Sequence, residues 1–282
     1  MKNMKKILLY STFAVSMMMV ACDPAENRDV LSGAITAADL KITAVPQIIN
    51  GKNSNKIDLN SDGVRALSSW NYGNGTTIST KTTVELVLKG ANEIVFTGLN
   101  HDGTTITKTL TVQVDTLINV PAEWGLLCGT GEKSWVWDDT SADGVWGNGG
   151  YKGNTAPGWW KVTLTQMNTQ SGAEGEGAGS EMVFAVKGSS LTKKRTVGAA
   201  AAGAFTFDMT AKTLDDAGAV WAKGKLKTKN VTVLCGIQAN AANAPVNEYD
   251  ILKLDDSKLV LAFPEPGAGS WGTCWFWMFK AK

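Results

Sequence analysis

Short segments of alternating apolar and polar residues, separated by turn residues, cover most of the chain. They are rich in Val, Ile, Thr and aromatic residues, and they recur about every 10–20 residues: LKITAV, TTVELVL, NEIVFTGL, TITKTLTVQV, WKVTLTQM, SEMVFAVKG, AFTFDMT, VWAKGKLKT, NVTVLCGI, EYDILKLD, KLVLAF and CWFWMF. No long segment repeats at the helical period. The pattern predicts antiparallel, all-β structure. Helical turns are expected only in AADL near residue 37 and in the Ala-rich VGAAAAGA.

The final predicted strand is apolar on both faces. Successive side chains of a strand point to opposite sides, so Trp275, Trp277 and Phe279 share one face and Cys274, Phe276 and Met278 share the other. A strand that is apolar on both faces is typically covered on both. We therefore expect this strand to be central and largely buried.

The first 22 residues have a different pattern. Lys2, Lys5 and Lys6 precede an apolar run at 7–21, ILLYSTFAVSMMMVA, which Cys22 and the polar DPAENRD follow. This is the pattern of a secretory signal peptide, and the run is shorter than the roughly 20 residues of a membrane-spanning helix. MVAC at 19–22 resembles a lipobox. That resemblance implies that residues 1–21 are removed and that Cys22 is acylated, since two or more acyl chains anchor a protein stably.

The residues after the cysteine resemble two different sorting signals. Asp23 resembles the inner-membrane retention signal of enteric bacteria, whereas acidic residues soon after the cysteine resemble the surface-export signal of Bacteroidota-type bacteria. Both alternatives stay open on this segment alone. The content of the C-terminal half favours the second, so we expect a lipid-anchored protein of the outer membrane that is exposed at the cell surface.

Charge and cysteine content exclude or disfavour several function classes. The chain has 27 Lys and Arg against 26 Asp and Glu and no block of like charge, so it lacks the basic face that nucleic acid requires. The single histidine, His101, leaves no basis for a histidine metal site. Cys128, Cys235 and Cys274 lie in apolar runs and are predicted to be buried and unpaired; one disulfide between two of them is the alternative.

Two units are predicted after a polar tether at 22–33. The first, residues 34–117, carries SWNYGNGTT at 69–77 and TLTV at 109–112. Trp70 and Tyr72 alternate onto one strand face, where they fill a core, and Asn74-Gly75 is a hairpin signal. These motifs resemble the PKD family of Ig-like β-sandwiches, although Asn71 and Asn74 stand where the family usually has Asp. The resemblance implies a spacer or interaction module.

The second unit, residues 124–282, follows a linker at 118–123 and holds ten of the eleven Trp. Its strand pattern predicts a larger antiparallel β-sandwich or a lipocalin-like or jelly-roll-like domain. The closing segment, EYDILKLDDSKLVLAF followed by WFWMFKA, resembles such C-terminal domains of surface lipoproteins.

The segment 135–160 is the candidate binding region. A flat indole stacks on the apolar face of a sugar ring, and amides and carboxylates bind its hydroxyls. The candidate ligand-binding residues are Trp135, Trp137, Asp138, Asp139, Trp146, Asn148, Tyr151, Trp159 and Trp160. Trp is usually well buried, however, so at least half of these five indoles are expected to be core residues.

Catalytic and metal-binding motifs are weak. Glu248 and Asp250 share a strand face, as in a laminarinase-like site, but Lys253 stands where that family has its third carboxylate. Glu174, Glu176 and Glu181 lie in a Gly-rich segment that predicts a solvated loop. DLNSDG at 58–63 opens like a calcium loop but lacks the later Glu, which favours a plain turn. We therefore predict no catalytic residues, no metal and no cofactor.

The architecture as a whole resembles the surface glycan-binding lipoproteins of polysaccharide-utilisation systems. That resemblance implies a polysaccharide or oligosaccharide ligand, a membrane contact through the lipid anchor and other glycan-uptake proteins as partners. The alternatives are a structural or adhesive surface protein that binds protein partners and a glycoside hydrolase that uses Glu248 and Asp250.

Overall fold

The computed structural model describes residues 33–282, which form an all-β, antiparallel molecule with a separate hydrophobic core in each half. The predicted signal peptide, Cys22 and the tether up to residue 32 lie outside the described residues. A short 3₁₀ turn at Ala37–Asp39 confirms the turn predicted in AADL.

The N-terminal half is a sandwich of two sheets. One sheet has the order β1-β2-β5 and the other β4-β3-β6-β7. The strands are β1 (Thr43–Ile49), β2 (Lys52–Asn60), β3 (Leu67–Asn71), β4 (Thr76–Thr77), β5 (Lys81–Glu85), β6 (Gly90–Leu99) and β7 (Thr105–Val114). Trp70 is fully buried between them and packs edge-on against Phe96 at 4.8 Å, while Tyr72 packs at the rim. Trp70 therefore lies in the core, as predicted, whereas Tyr72 packs against the core and is only partly buried.

The C-terminal half is built around a closed barrel of eight antiparallel strands. The barrel order is β8-β11-β12-β13-β16-β19-β20-β21, and β21 pairs back with β8. The strands of this half are β8 (Glu132–Trp137), β9 (Trp146–Gly150), β10 (Trp160–Val162), β11 (Glu181–Ala185), β12 (Ser190–Lys194), β13 (Ala201–Asp208), β14 (Thr213–Leu214), β15 (Val220–Ala222), β16 (Gly224–Lys229), β17 (Ile237–Gln238), β18 (Ala244–Pro245), β19 (Glu248–Leu254), β20 (Lys258–Pro264) and β21 (Thr273–Ala281). Closure removes the free edges that an open sheet exposes.

Both faces of β21 are buried, as the pattern of this strand predicts. Trp275, Trp277 and Phe279 point into the barrel and belong to its core. On the outer face, Cys274 and Phe276 pack in a second cluster, which Trp221 of β15 and its neighbours cover. An eight-stranded barrel is just wide enough for side chains to fill it, and large aromatic side chains fill this one.

A short helix closes one end of the barrel. This helix, α1 (Glu123–Cys128), presses Trp124 against Phe207 with ring centroids 4.9 Å apart. Its Leu127 carbonyl accepts a hydrogen bond of 2.9 Å from the indole of Trp135. This helix is not predicted from the sequence, because GLLCG is an apolar run without a helical period.

The two halves contact each other beside this end. The turn after β11 meets the hairpin that follows Trp70: the Gly188 amide donates to the Gly73 carbonyl at 2.6 Å, and Ser189 donates to the Asn74 carbonyl at 3.2 Å. Leu88 of the N-terminal half also packs against the barrel core. The predicted hairpin thus forms part of the contact between the halves.

The other end of the barrel, here called the loop end, carries the long connections. There β9 takes over from β8 as the neighbour of β21: β8 pairs with Phe279–Ala281 and β9 with Thr273–Trp277. Since β10 pairs in turn with β9, a three-stranded extension of β21, β9 and β10 projects beyond the closed ring.

Three local predictions are wrong. WKVTLTQM is a strand only at its start, because Leu164–Thr169 forms a 3₁₀ helix. VGAAAAGA is not helical, because β13 begins within it and pairs with β12 and β16. NVTVLCGI forms an irregular segment rather than a strand, in which Asn230 and Cys235 adopt positive φ, and its apolar side chains close the loop end. Cys128, Cys235 and Cys274 are buried and unpaired, as predicted.

Candidate functional site

Three of the five candidate indoles are core residues. Trp135, Trp137 and Trp146 are almost completely buried, so their assignment as ligand contacts is wrong. Trp137 donates its indole hydrogen bond to the Glu176 carbonyl at 2.6 Å. Trp146 stacks against Trp275 with ring centroids 5.1 Å apart. The physical reason is that β8 and β9 turn these rings into the barrel, where large side chains are required.

Asp138 and Asp139 are engaged in ion pairs. Asp138 is buried, and it accepts hydrogen bonds from Lys258 and Thr140. Burial raises the pKa of Asp138, but these hydrogen bonds outweigh it and hold the pKa below its ordinary value. Asp139 pairs with Lys280 at 2.5 Å. The assignment of Asp138 as a sugar contact is wrong, because its carboxylate anchors β8 to β20.

The Gly-rich loop after β9 is folded tightly around Asn154. The side-chain carbonyl of Asn154 accepts the Gly150 amide at 2.7 Å, and its backbone carbonyl accepts the indole N–H of Trp221 at 2.8 Å. A Cβ at Gly149 or Gly158 would lie 2.8 Å from the Asn154 side chain. Glycine is therefore required here for close packing rather than for flexibility.

Trp271, which the sequence analysis did not single out, is the most exposed indole on this loop system. It is 60 % exposed and has φ of 63°, a strained conformation for a bulky residue. Two hydrogen bonds hold it: its amide donates to the Tyr151 carbonyl at 2.9 Å, and the Tyr151 amide donates to the Gly272 carbonyl at 2.8 Å. Its ring lies over Gly150 and Gly153, where an added Cβ would come within 2.5 and 2.6 Å of ring atoms.

Trp160 lies on the same face of the extension. It is in register with Asn148, which is in register with Trp275, and cross-strand neighbours in register share a face. The ring of Trp160 meets Trp146 edge-on at 5.3 Å and Trp275 at 5.9 Å, yet the residue is 39 % exposed. Its inner edge is fixed by the core, and the rest is open to solvent.

Trp160, Asn148 and Trp271 together form what we call the Trp face. Strand geometry places Asn148 roughly 5 Å from Trp160 across the sheet and about 7 Å along β9 from Gly150, the residue under the Trp271 ring. The surface therefore presents two exposed indole rings and one side-chain amide on the same face. Such a surface stacks on apolar ring faces and binds hydroxyl groups.

The other candidates lie outside the Trp face. Tyr151 packs edge-on against Trp221 at 5.1 Å on the outer cluster, and burial raises its pKa. Trp159 is 54 % exposed and makes no ring contact within residues 33–282. Only Trp160 and Asn148 of the predicted set combine with Trp271. An isolated Trp between Ser and Gly gives no periodic signal, which is why the pattern analysis did not find Trp271.

Glu248 and Asp250 share one lysine. Lys225 lies 3.3 Å from Glu248 and 3.2 Å from Asp250, and Lys227 makes a further pair with Glu248 at 3.0 Å. The hydrogen bond from Lys227 lowers the pKa of Glu248, while burial raises the pKa of Asp250. Opposite shifts are typical of acid–base pairs, but Asp250 is buried, so this arrangement does not present it to a solvent-borne substrate.

The calcium-like loop is a plain turn in the structure. The Asp62 amide donates to the Asn60 side chain at 2.8 Å, and Asp58 accepts the Thr83 hydroxyl at 2.6 Å. Across residues 33–282, no group of three or more His, Cys, Asp and Glu side chains is arranged to hold a metal ion.

Comparison with known proteins does not identify a family for this chain. The sequence matches no family model, and no curated protein matches it. Within the described part of the chain, no helix has the length and apolar character needed to cross a membrane.

Proposed function

We propose that the protein captures extracellular polysaccharide at the bacterial cell surface, with the Trp face as its glycan contact. The observation that carries this proposal is Trp271. A bulky residue at positive φ, held by two backbone hydrogen bonds, seats its ring on two glycines and leaves most of its surface exposed. Strain of this kind persists where the surrounding structure fixes it and clusters at ligand sites. Trp271 differs in this from Trp159, which is also exposed but has no positive φ.

The remainder of the proposal concerns how the site is presented. The lipobox-like MVAC assigns the anchor to Cys22, and the N-terminal sandwich, which resembles a PKD domain in its motifs, stands between the anchor and the barrel. The barrel agrees with the lipocalin-like alternative of the sequence analysis in having a closed antiparallel ring. In this arrangement the Trp face lies at the loop end, whereas the N-terminal half contacts the turn between β11 and β12 near the helix-capped end.

The test is retardation of the protein in native gels that contain individual neutral polysaccharides. Trp271→Ala and Trp160→Ala should each weaken binding on the order of tenfold, because an aromatic contact contributes about 0.5–1.5 kcal/mol beyond its buried area. The melting temperature should change little for Trp271→Ala, since its ring contacts glycines outside the core.

Trp159→Ala is the matched control. It removes an equally exposed indole beside Trp160 that has no ring contact, and it should leave binding unchanged. Should Trp159→Ala weaken binding as much as Trp271→Ala does, the loss would reflect general aromatic surface rather than the Trp face. Should no polysaccharide retard the wild-type protein, glycan capture is refuted and the structural or adhesive alternative takes its place.

A further inference from the structure

A buried cluster of charges lies at the loop end of the barrel. Glu176 was predicted to be in a solvated loop, but it is 3 % exposed, and this prediction is wrong. Its carboxylate accepts Lys193 at 2.9 Å, Arg195 at 2.7 Å and the Cys235 amide at 2.5 Å. Lys193 is 4 % exposed and also donates to the Thr232 hydroxyl at 2.9 Å. The cluster fixes the segment 230–237 against β12.

The cluster carries more positive than negative charge. One carboxylate serves two cations, and burial lowers the pKa of Lys193 while Glu176 opposes that change. Glu174, in the same segment, is exposed and accepts the Gly172 amide at 3.1 Å. Because two cations share the one carboxylate of Glu176, the positive charge that this carboxylate does not neutralise would attract an anion to the site.

The guanidinium of Arg195 is only partly used. Within residues 33–282 its ion pair runs through Nε, which leaves the two terminal nitrogens for another partner. Arginine recognises planar carboxylates through two parallel hydrogen bonds from such a fork. Arg195 is 37 % exposed, so this fork is reachable from solvent.

A cavity of about 440 Å³ adjoins the cluster. It is lined by Glu176, Lys193, Arg195 and Thr232, and also by the side-chain amides Asn230 and Asn247. The carbonyl of Asn247 accepts the Thr228 hydroxyl at 3.2 Å, which leaves its NH₂ group as a donor. The Thr232 hydroxyl is already committed to the Val233 carbonyl. The free donors of the cavity are therefore those of Arg195 and the two Asn residues.

We propose that this cavity binds a carboxylate group, with the terminal nitrogens of Arg195 forming the principal contact and the amides of Asn230 and Asn247 binding the neighbouring oxygens. The carboxylate is that of a uronic acid unit or of a free organic acid, since the two present the same planar anion. The site is separate from the Trp face, because none of its lining residues belongs to that face. The proposal therefore stands whether or not neutral glycans bind.

The test is isothermal titration of the purified full-length protein with sodium glucuronate, glucose and sodium acetate. Glucuronate should bind and glucose should not. Arg195→Gln should weaken glucuronate binding by ~10-fold or more, equivalent to about 1.4 kcal/mol. Arg195→Lys keeps the charge but lacks the fork, so it should also bind more weakly than the wild type. If acetate binds as tightly as glucuronate, the carboxylate alone is recognised; if it binds much more weakly, the sugar ring contributes.

Lys194→Gln is the matched control. It removes the same charge from the adjacent position, whose side chain pairs with Glu181 instead, and it should leave glucuronate binding unchanged. Thermal unfolding of each variant should confirm that it is folded, because Glu176 keeps Lys193 and the Cys235 amide when Arg195 is replaced. The proposal is overturned if glucuronate and acetate both fail to bind the wild type, or if folded Arg195→Gln binds as the wild type does.

Discussion

Two glycines of strand β9, Gly147 and Gly150, lie against different neighbours. At Gly150, an added Cβ would meet the ring of Trp271 at 2.5 Å, and the backbone there has no positive φ. At Gly147, φ is 152° and the added Cβ would fall within contact distance of the Trp160 carbonyl. Gly150 leaves space for the exposed side chain of Trp271, which can move away from an added Cβ. Gly147 leaves space for the backbone of Trp160, which cannot move away.

We therefore expect Gly150→Ala to separate binding from stability. The displaced Trp271 ring should lower glycan affinity on the order of tenfold. The melting temperature should stay the same or rise slightly, because Gly→Ala at a compatible backbone reduces the entropy of the unfolded chain. Native-gel affinity and differential scanning calorimetry measure the two effects.

Gly147→Ala is the companion variant. It should destabilise the fold by about 1–3 kcal/mol from backbone strain alone. If Gly150→Ala instead lowers the melting temperature as much as Gly147→Ala does, the seat of Trp271 is part of the fold and not a separable feature of the binding surface.

At the residue scale, the sequence predicts that some Trp side chains are buried, but it does not predict which ones. The wealth of Trp between 135 and 160 is visible, and so is the expectation that several rings are buried. Which rings are buried depends on the register of β9 between β21 and β10, which no single segment encodes. The position of the Trp271 ring depends on Gly150 and Gly153, which are distant from it in sequence.

Among the strands, β11, β12 and the end of β21 are tied together by one carboxylate. Glu181 accepts hydrogen bonds from Lys194 and from Lys282, and its side chain is 11 % exposed. These hydrogen bonds hold the pKa of Glu181 below its ordinary value, Lys194 having the larger effect. The backbone amide of Lys282 also donates to the Ser134 carbonyl at 3.0 Å, so the same residue ties β21 to β8.

The depressed pKa of Glu181 predicts a pH-dependent contribution to stability. The unfolded carboxyl has a pKa of about 4.3, so the contribution is complete above that value and is lost as pH falls through the lower folded value. Glu181→Gln should cost on the order of 1 kcal/mol at pH 7. The difference from the wild type should shrink as the pH drops below about 4, as followed by urea unfolding.

Glu85→Gln serves as the control for Glu181. Glu85 pairs with Lys56 at 3.5 Å, but its side chain is 53 % exposed, and surface substitutions of this kind change stability by less than about 0.5 kcal/mol. A Glu181→Gln variant whose stability matches that of Glu85→Gln at every pH would show that the carboxylate does not hold the strands together.

Most strands follow from alternation, and two of the failures have one cause. NEIVFTGL, TITKTLTVQV and CWFWMF form strands where they are predicted. NVTVLCGI has the same alternating pattern, yet it becomes an irregular plug, because Glu176 binds the Cys235 amide that a ladder would have used. The Ala-rich segment becomes a strand because β12 and β16 offer it partners. Tertiary pairing overrides local preference in both cases.

At the scale of the whole molecule, the proposed anchor at Cys22 lies outside the described residues. Cys22→Ala should abolish incorporation of labelled palmitate and move the protein from the membrane fraction to the soluble fraction, because acyl chains would provide its membrane affinity. Cys274→Ala, which changes a buried barrel cysteine, should retain the label. Continued membrane association of Cys22→Ala would contradict the anchor, and protease treatment of intact cells would test surface exposure separately.

The division of the chain into two cores is consistent with sequence motifs, but barrel closure is not visible in them. The Trp70 strand and the hairpin after it indicate a sandwich unit, and the Trp-rich half indicates a second core. A sandwich and a barrel share the same alternation, however. The pairing of β21 with β8 distinguishes them, and it joins strands at opposite ends of the segment.

The pairing of β21 with β8 also determines when the barrel can close during folding. Every strand partner in the N-terminal half lies between residues 43 and 114, whereas Lys280 meets Asp139 across 141 positions of sequence. The chain emerges with its N-terminus first, from the ribosome or across a membrane, so the first barrel strand waits for its last neighbour until nearly all of the second half has followed. During that interval a finished sandwich precedes an open sheet with two unpaired edges, which invite pairing with other chains. The last strand, β21, therefore closes the barrel and removes the unpaired edges at which other chains could pair.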